Sequence, residues 1–405
     1  FRKYESTTIA SNVSDETVAE IMENTADLQG VTIEESSVRV YNNSVYFEPI
    51  IGYIGKVQEE QLEELNKDNQ EYRATDLVGR AGLEASLEKD LQGSKGYKVV
   101  NVDNMGRILE VTEEVAPQAG NDVYLSIEQD LQIGVYELLE RQLAGILLDH
   151  LRLEDIREDE TFKDSKKPIP VKDVYYQLIN NNVLSLAHMS TEEASSMERQ
   201  LYQIQTLSQE QILNNIQAEL LSPHALELGQ LPKDMMAYMV YIYEFLASDE
   251  VGIIKKADID ETSAAYLGWK ADTISLRNYI YAGIADGWID TAKLDIDTRY
   301  SNADSIFESL VTYIIEELKE DSHFTKQIYR YLINDGTVKG WQLCIALYDQ
   351  GVLEYDAEEI GKLSSGGDGY AYSFIRSKIK SIELTPAQLA LDPCTGSCVI
   401  VDVNT

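Results

Sequence analysis

Two serines stand three residues ahead of a lysine, in Ser86-Leu87-Glu88-Lys89 and Ser377-Lys378-Ile379-Lys380. On a helix that spacing puts an amine one turn from a hydroxyl, where it can draw off the proton as the serine attacks an acyl carbon. Such a site also needs donors for the oxyanion that forms. Ser86 lies in a glycine-marked stretch and Ser377 in a charged one, and neither has such companions nearby in sequence, so both strings are expected to be chance matches. No catalytic residue is assigned.

Other chemistry fares no better. With 70 acidic residues in 405, a carboxylate pair suited to glycoside hydrolysis cannot be picked out by spacing. His150, His188, His224 and His323 show no ligand spacing with one another or with Cys344, Cys394 and Cys398, so tetrahedral zinc is not indicated. Asp258-Ile259-Asp260-Glu261-Thr262 and Asp295-Ile296-Asp297-Thr298-Arg299-Tyr300 lack the sixth-position glycine of a calcium loop, and Arg299 would set a cation among the ligands. Gly79-Arg80-Ala81-Gly82 lacks the spacing of a phosphate loop. No cofactor and no metal is expected. A bridge between Cys394 and Cys398 across Thr395-Gly396-Ser397 stays open beside the preferred reading of free thiols.

The charge balance excludes more. Thirty-four basic against 70 acidic residues give a net charge of −36, a field that repels phosphate backbones and anionic lipid. Neither nucleic acid nor a membrane surface is expected as a partner of this chain. Met235 to Ala247, the most apolar run, is broken by Glu244 and too short to span a bilayer. Phe1 to Ser6 is polar, so any membrane anchor is expected outside the chain.

The elements that must hold these residues fall into two styles. Residues 1 to about 130 mix short helices with strands, and residues 131 to 390 read as helical, which sets the fold class as α+β with a large all-α part. Thr17 to Leu28 has helical patterning, Val31 to Tyr41 reads as a strand and Gln58 to Asn66 as a charged surface helix. Tyr97 to Val102 and Arg107 to Val111 flank Asp103-Asn104-Met105-Gly106, whose residues suit a hairpin turn. Asp122 to Ile127 reads as a strand leading into a helix from about Glu128 to Asp149. Ser190-Thr191-Glu192-Glu193 and Ser305-Ile306-Phe307-Glu308 have the form of capping boxes. After the second, Phe307, Leu310, Val311, Ile314, Ile315 and Leu318 make one apolar stripe. The aromatic and methionine residues from Met235 to Phe245, with Trp269, Trp288 and Trp341, read as bundle core in preference to an exposed partner groove. No fixed repeat period is evident. Thr385-Pro386 opens a short helix, Asp392-Pro393 closes it, and Cys398 to Val403 reads as a strand.

Several glycine-marked segments follow in order. Arg39 and Tyr41 precede Ile51-Gly52-Tyr53-Ile54-Gly55-Lys56, then come Val78-Gly79-Arg80-Ala81-Gly82-Leu83-Glu84 and Leu91-Gln92-Gly93-Ser94-Lys95-Gly96. The hairpin follows, then Pro117 to Ile127 and Asp130-Leu131-Gln132. Taken in order, these segments resemble the pedestal of class B penicillin-binding proteins, the bacterial D,D-transpeptidases that crosslink peptidoglycan, with Ser126 and Glu128 in place of that family's usual Thr and Asp. Ser397 to Thr405 is similar to the opening strand of the transpeptidase domain. The resemblance covers about residues 18–149 and 384–405.

The resemblance implies a pedestal (dimerisation) domain at 1–149, an all-helical insertion at 150–383, and a return to the pedestal at 384–405 with the first strand of a transpeptidase domain expected beyond this chain. The Ser-x-Asn and Lys-Ser/Thr-Gly elements that complete the family's acylation site occur nowhere. The expectation is therefore a non-catalytic, extracytoplasmic scaffold whose parent is a serine D,D-transpeptidase. Its implied partners are that transpeptidase domain, a SEDS-family glycan polymerase and other cell-wall synthesis proteins. The rival expectation makes the helical insertion itself a peptidoglycan-binding module or hydrolytic enzyme, which a cleft lined by shifted carboxylates would favour.

Overall fold

Turn-forming residues and glycines cut the first third of the chain into short elements, and long apolar stripes build the rest from helices. The computed structural model describes residues 9–10, 13–24, 28, 31–33, 37–58, 61–62, 65–68, 72–73, 76–102, 108–157, 160–163, 167–294, 302–391 and 395–401. The chain divides into two units, Phe1–Glu137 and Leu138–Thr405. Among the described residues the sheets are three two-stranded pairs and the remainder is mainly helix, an α+β architecture with a large helical part.

In the first unit, α1 (Asp15–Glu23) begins two residues before the expected Thr17, because Ser14 caps it by accepting the Thr17 N–H at 3.2 Å. Helix α2 (Ser44–Ile51) ends at Gly52 and leads into β1 (Ile54–Lys56), which pairs antiparallel with β2 (Leu77–Gly79). Short helices α3 (Gly82–Ser86) and α4 (Glu88–Leu91) follow. The expected hairpin is present as β3 (Tyr97–Val102) and β4 (Ile108–Val115), antiparallel from Tyr97↔Val115, while its turn lies outside the described residues. Of the expected helix at 58–66, residues 61, 62 and 65 are helical and a 3-10 turn, Asn66–Asp68, follows. The apolar core here is small: Val57, Tyr72 and Val78, with Leu62 and Leu65 against them.

Two expected strands do not join a sheet. Residues 31–33 and 37–41 are described and lie in no ladder. Val38 and Val40 point outward, 70% and 80% exposed, while Arg39 turns inward to carboxylates, so the alternation was sound but no strand lies alongside. Asp122–Ile127 is likewise unpaired, with Tyr124 90% exposed, before α5 (Gln129–His150).

The second unit takes in the C-terminal half of α5. A parallel pair, β5 (Leu151–Arg152) and β6 (Ile169–Pro170), precedes α6 (Val171–Asn180), α7 (Leu186–Met189), α8 (Ser196–Leu221), α9 (Lys233–Leu246), α10 (Ala264–Lys270) and α11 (Leu276–Asp286). Then come α12 (Ala303–Glu320), α13 (Ser322–Asn334), α14 (Gly340–Asp349), α15 (Ala357–Lys380) and α16 (Pro386–Leu389). One continuous core joins them. The stripe on α12 is buried as expected at Phe307, Leu310, Val311, Ile314 and Leu318. Tyr238, Met239, Trp269 and Trp288 are buried too, which makes the aromatic run core. Trp269 and Trp288 flank Tyr279 with centroids 5.1 and 5.0 Å away.

Neither predicted capping box forms at its expected position. Ser190 closes α7, its hydroxyl donating to the Ala187 carbonyl, and the reciprocal box forms at Ser195 and Glu198, whose N–H groups are held at 2.8 and 3.1 Å. Two Ser-x-x-Glu strings follow one another there, at 190–193 and 195–198, and the one leading directly into the buried Leu201 opens the helix. At α12 the cap is Asn302, accepting the Ser305 N–H at 2.9 Å. Thr385 caps α16 as expected, in a box with Gln388. Residues 398–401 form no strand and Val399 is 84% exposed; the rest of that expected strand, and Asp392-Pro393, lie outside the described residues.

One connector recurs. Asn182, Asp272, Gly287, Gly336, Gly351 and Ile382 each take a left-handed conformation at a helix end. At five of the six, the residue two positions on is aliphatic, buried, and returns its N–H to a carbonyl six residues back: Leu184 to Leu178, Ile289 to Gly283, Val338 to Leu332, Leu353 to Leu347 and Leu384 to Lys378. The spacing between connectors is uneven, so no sequence period marks them.

Candidate functional site

The two Ser-x-x-Lys strings stand in different settings. Ser86 is the exposed last residue of α3 and its hydroxyl donates to the Gly82 carbonyl at 2.9 Å, while Lys89 belongs to the next helix. Ser377 is exposed on α15, between the buried Ile375 and Ile379. Cys344 is buried and Cys398 is an exposed free thiol; Cys394 lies outside the described residues.

What the first unit does gather is a buried charge cluster. Extended residues 37–41 deliver Arg39, and α3 and α4 deliver Glu84 and Glu88, side chains only 3% and 5% exposed. The Arg39 Nε stands 3.4 Å from Glu84 Oε2, and its Nη2 stands 3.5 Å from Glu88 Oε2. The guanidinium also donates to the Leu91 carbonyl, and the Gly79 N–H donates to Glu88 at 2.8 Å. Burial pushes the Glu88 carboxyl up, with the Gly79 N–H and Arg39 pulling it back. The Tyr41 and Tyr72 hydroxyls sit beside Glu84 and Glu88 respectively, and burial together with those carboxylates pushes each phenol up to about 12.

Glycine makes the cluster's scaffold possible. Gly52 (φ +78°) and Gly82 (φ +59°) pack backbone on backbone: a Cβ on Gly82 would stand 2.5 Å from the Ile50 carbonyl oxygen, and one on Gly52 would fall on that of Ala81. This contact brings the end of α2 against the start of α3, which carries Glu84. The arrangement can tie residues 37–41 to the short helices α3 and α4. Arg39, Tyr41 and Glu84 fall within the motifs read from the sequence, but Glu88 and Tyr72 do not. The available signal was the four-residue step from Glu84 to Glu88, which puts both on one side of a helical stretch.

The second unit spreads its buried and half-buried carboxylates over different helices. Glu198 is fully buried and accepts from the Ser195 N–H, His188 Nδ1 (2.7 Å) and Gln350 Nε2 (2.8 Å); these bonds outweigh desolvation and hold its carboxyl below the usual range. Burial raises Glu140, which faces the Ala387 N–H, and Asp173, which faces Arg330. The described pocket, between Glu219, Leu231, Met239 and Arg277, holds about 10 Å³, room for no more than a water. Among the described residues no three His, Cys, Asp or Glu side chains converge as metal ligands, and no helix is long and apolar enough to cross a membrane.

Comparison with known proteins places the first unit. Residues 1–125 match the family described as Penicillin-binding Protein dimerisation domain. The chain is 35% identical over 144 residues to the peptidoglycan D,D-transpeptidase MrdA of Acinetobacter baumannii, covering 36% of this chain and 20% of that protein. It is 32% identical over 148 residues to MrdA of Escherichia coli, covering 36% and 23%. The probable peptidoglycan D,D-transpeptidase PenA of Neisseria gonorrhoeae is 42% identical over 69 residues, 16% of this chain and 12% of that one. The chain thus spans about a fifth of the length of the MrdA relatives it matches. Its N-terminal region, with the glycine contact and the Arg39 cluster, is the pedestal region of a class B penicillin-binding protein.

Proposed function

We propose that this chain is a non-catalytic scaffold, at the extracytoplasmic face of the bacterial membrane, within a serine D,D-transpeptidase. It positions the transpeptidase domain of the same parent and offers surface to cell-wall synthesis partners, a SEDS-family glycan polymerase among them. One observation supports the reading: Arg39, Tyr41, Gly52, Gly82 and Glu84, all within the motifs that resemble the family's, are spent on holding neighbouring segments of the first unit together, the glycines through backbone contact and the others through a buried charge cluster. The rival, a binding or hydrolytic helical unit, is less favoured because Glu140, Asp173 and Glu198 each have separate partners and line no common cleft.

Incubation with a fluorescent penicillin followed by a denaturing gel tests the non-catalytic part. Ser86 has no general base in place, and that help alone is worth on the order of a hundred- to ten-thousandfold, so no stoichiometric band is expected. A band lost on Ser86→Ala or Ser377→Ala would overturn the proposal.

A further inference from the structure

Helix α15 is two helices end to end. At Gly367 the backbone leaves the helix (φ 61°, ψ −155°), a conformation essentially reserved for glycine, within the run Ser364-Ser365-Gly366-Gly367-Asp368-Gly369. The Ser364 and Ser365 hydroxyls donate back to the Ile360 and Gly361 carbonyls at 2.9 Å, a habit that loosens and bends helices. The two halves are anchored unequally. Residues 371–379 bury Ala371, Phe374, Ile375 and Ile379, whereas residues 357–366 bury Leu363 alone.

A clasp crosses the break. The Tyr370 hydroxyl reaches back to both carboxylate oxygens of Glu359 at 3.1 Å, and Lys362 bridges Glu359 and Glu358 at 3.1 and 2.8 Å. Beneath lies α14, which packs along α15 and is buried over almost its whole length, Cys344 at 0% exposure included. Asp368, beside the break, is near enough to add to burial in holding the Cys344 thiol protonated far above its ordinary range.

We propose that residues 357–366 are a flap that turns about Gly367, held shut by the Tyr370–Glu359 clasp and by Leu363, and that its opening uncovers α14 around Cys344. A segment held by one buried side chain, the partly buried Ile360 and a few surface bonds opens at a fraction of the cost of global unfolding. Cys344 is the built-in reporter, since a buried protonated thiol reacts only when uncovered.

The test uses the full chain with Cys394→Ser and Cys398→Ser, so that Cys344 is the sole thiol, labelled with a disulfide reagent at low denaturant. Labelling is expected to outpace global unfolding followed by tryptophan fluorescence and to depend weakly on denaturant. Tyr370→Phe and Glu359→Ala should each speed it about three- to tenfold, the loss of one net hydrogen bond, and the double variant should add little. Hydrogen exchange on the unsubstituted chain gives a second reading, with residues 357–366 exchanging well before 371–379. Labelling that tracks global unfolding, clasp variants without effect, or equal protection of the two halves would overturn the flap.

Discussion

The two units solve the same problem with opposite means. Among the described residues the first has a small apolar core, Val57, Tyr72 and Val78, and relies on a glycine contact and a buried charge cluster, where geometry leaves little room for substitutes. The second relies on a continuous core of aliphatic and aromatic residues, where neighbours of similar volume can replace one another. A fold held by irreplaceable residues keeps a recognisable signature. A fold held by bulk does not, and this is why relatives of the first unit can be recognised from short motifs.

The largest effect should come from Gly82→Ala. The left-handed backbone and the carbonyl 2.5 Å from the new Cβ together should cost about 3–5 kcal/mol, read as faster amide exchange at Gly79. Wild-type exchange there would break the contrast. Arg39→Ala comes next, at about 2–4 kcal/mol, because it strands two carboxylates that are nearly inaccessible. Arg39→Lys should recover only part of this, since an ammonium cannot span both partners.

Acid should act on the two units with opposite sign. Glu88 is raised above the ordinary 4.5, so the folded state holds its proton more tightly, and wild type should gain on Glu88→Gln as pH falls through the raised value toward 4.5. Glu198 is lowered, so its contribution is present above 4.5 and lost as pH falls through the folded value; wild type should lose its advantage over Glu198→Gln there. Thermal melts across the acid range measure both differences, and slopes of the same sign would refute the assignment.

The smallest effect sharpens the comparison with the same chemical change at an open site. Gly145 in α5 has nothing within 4 Å of an added Cβ, so Gly145→Ala should stabilise by about 0.5–1 kcal/mol. A rise in melting temperature followed by the tryptophans, all of which lie in the second unit, checks it.

Local chemistry was legible in the sequence, and distant partnership was not. The hairpin at 97–115 and the α12 stripe follow from patterning alone. The strand at 31–41 failed because a ladder needs a neighbour, and Arg39 finds its partners 45 and 49 residues away. The charge cluster is half visible: Arg39, Tyr41 and Glu84 fall in the glycine-marked motifs, whereas Glu88 stands out only by its four-residue step from Glu84. The connectors escaped notice because glycine marks only three of them; Ile382, a β-branched residue in a left-handed conformation, gives no hint at all.

Those connectors bear on how the length of the helical unit could change. Each joint closes one helix with local bonds and hands the chain on to the next, and two pairs, Asp272 with Gly287 and Gly336 with Gly351, enclose a single helix between joints fifteen residues apart. A copied stretch of fifteen codons would carry a helix already finished at both ends. Duplication or loss of such a stretch disturbs packing without leaving loose backbone polar groups behind, so the gene can lengthen or shorten here in whole helices.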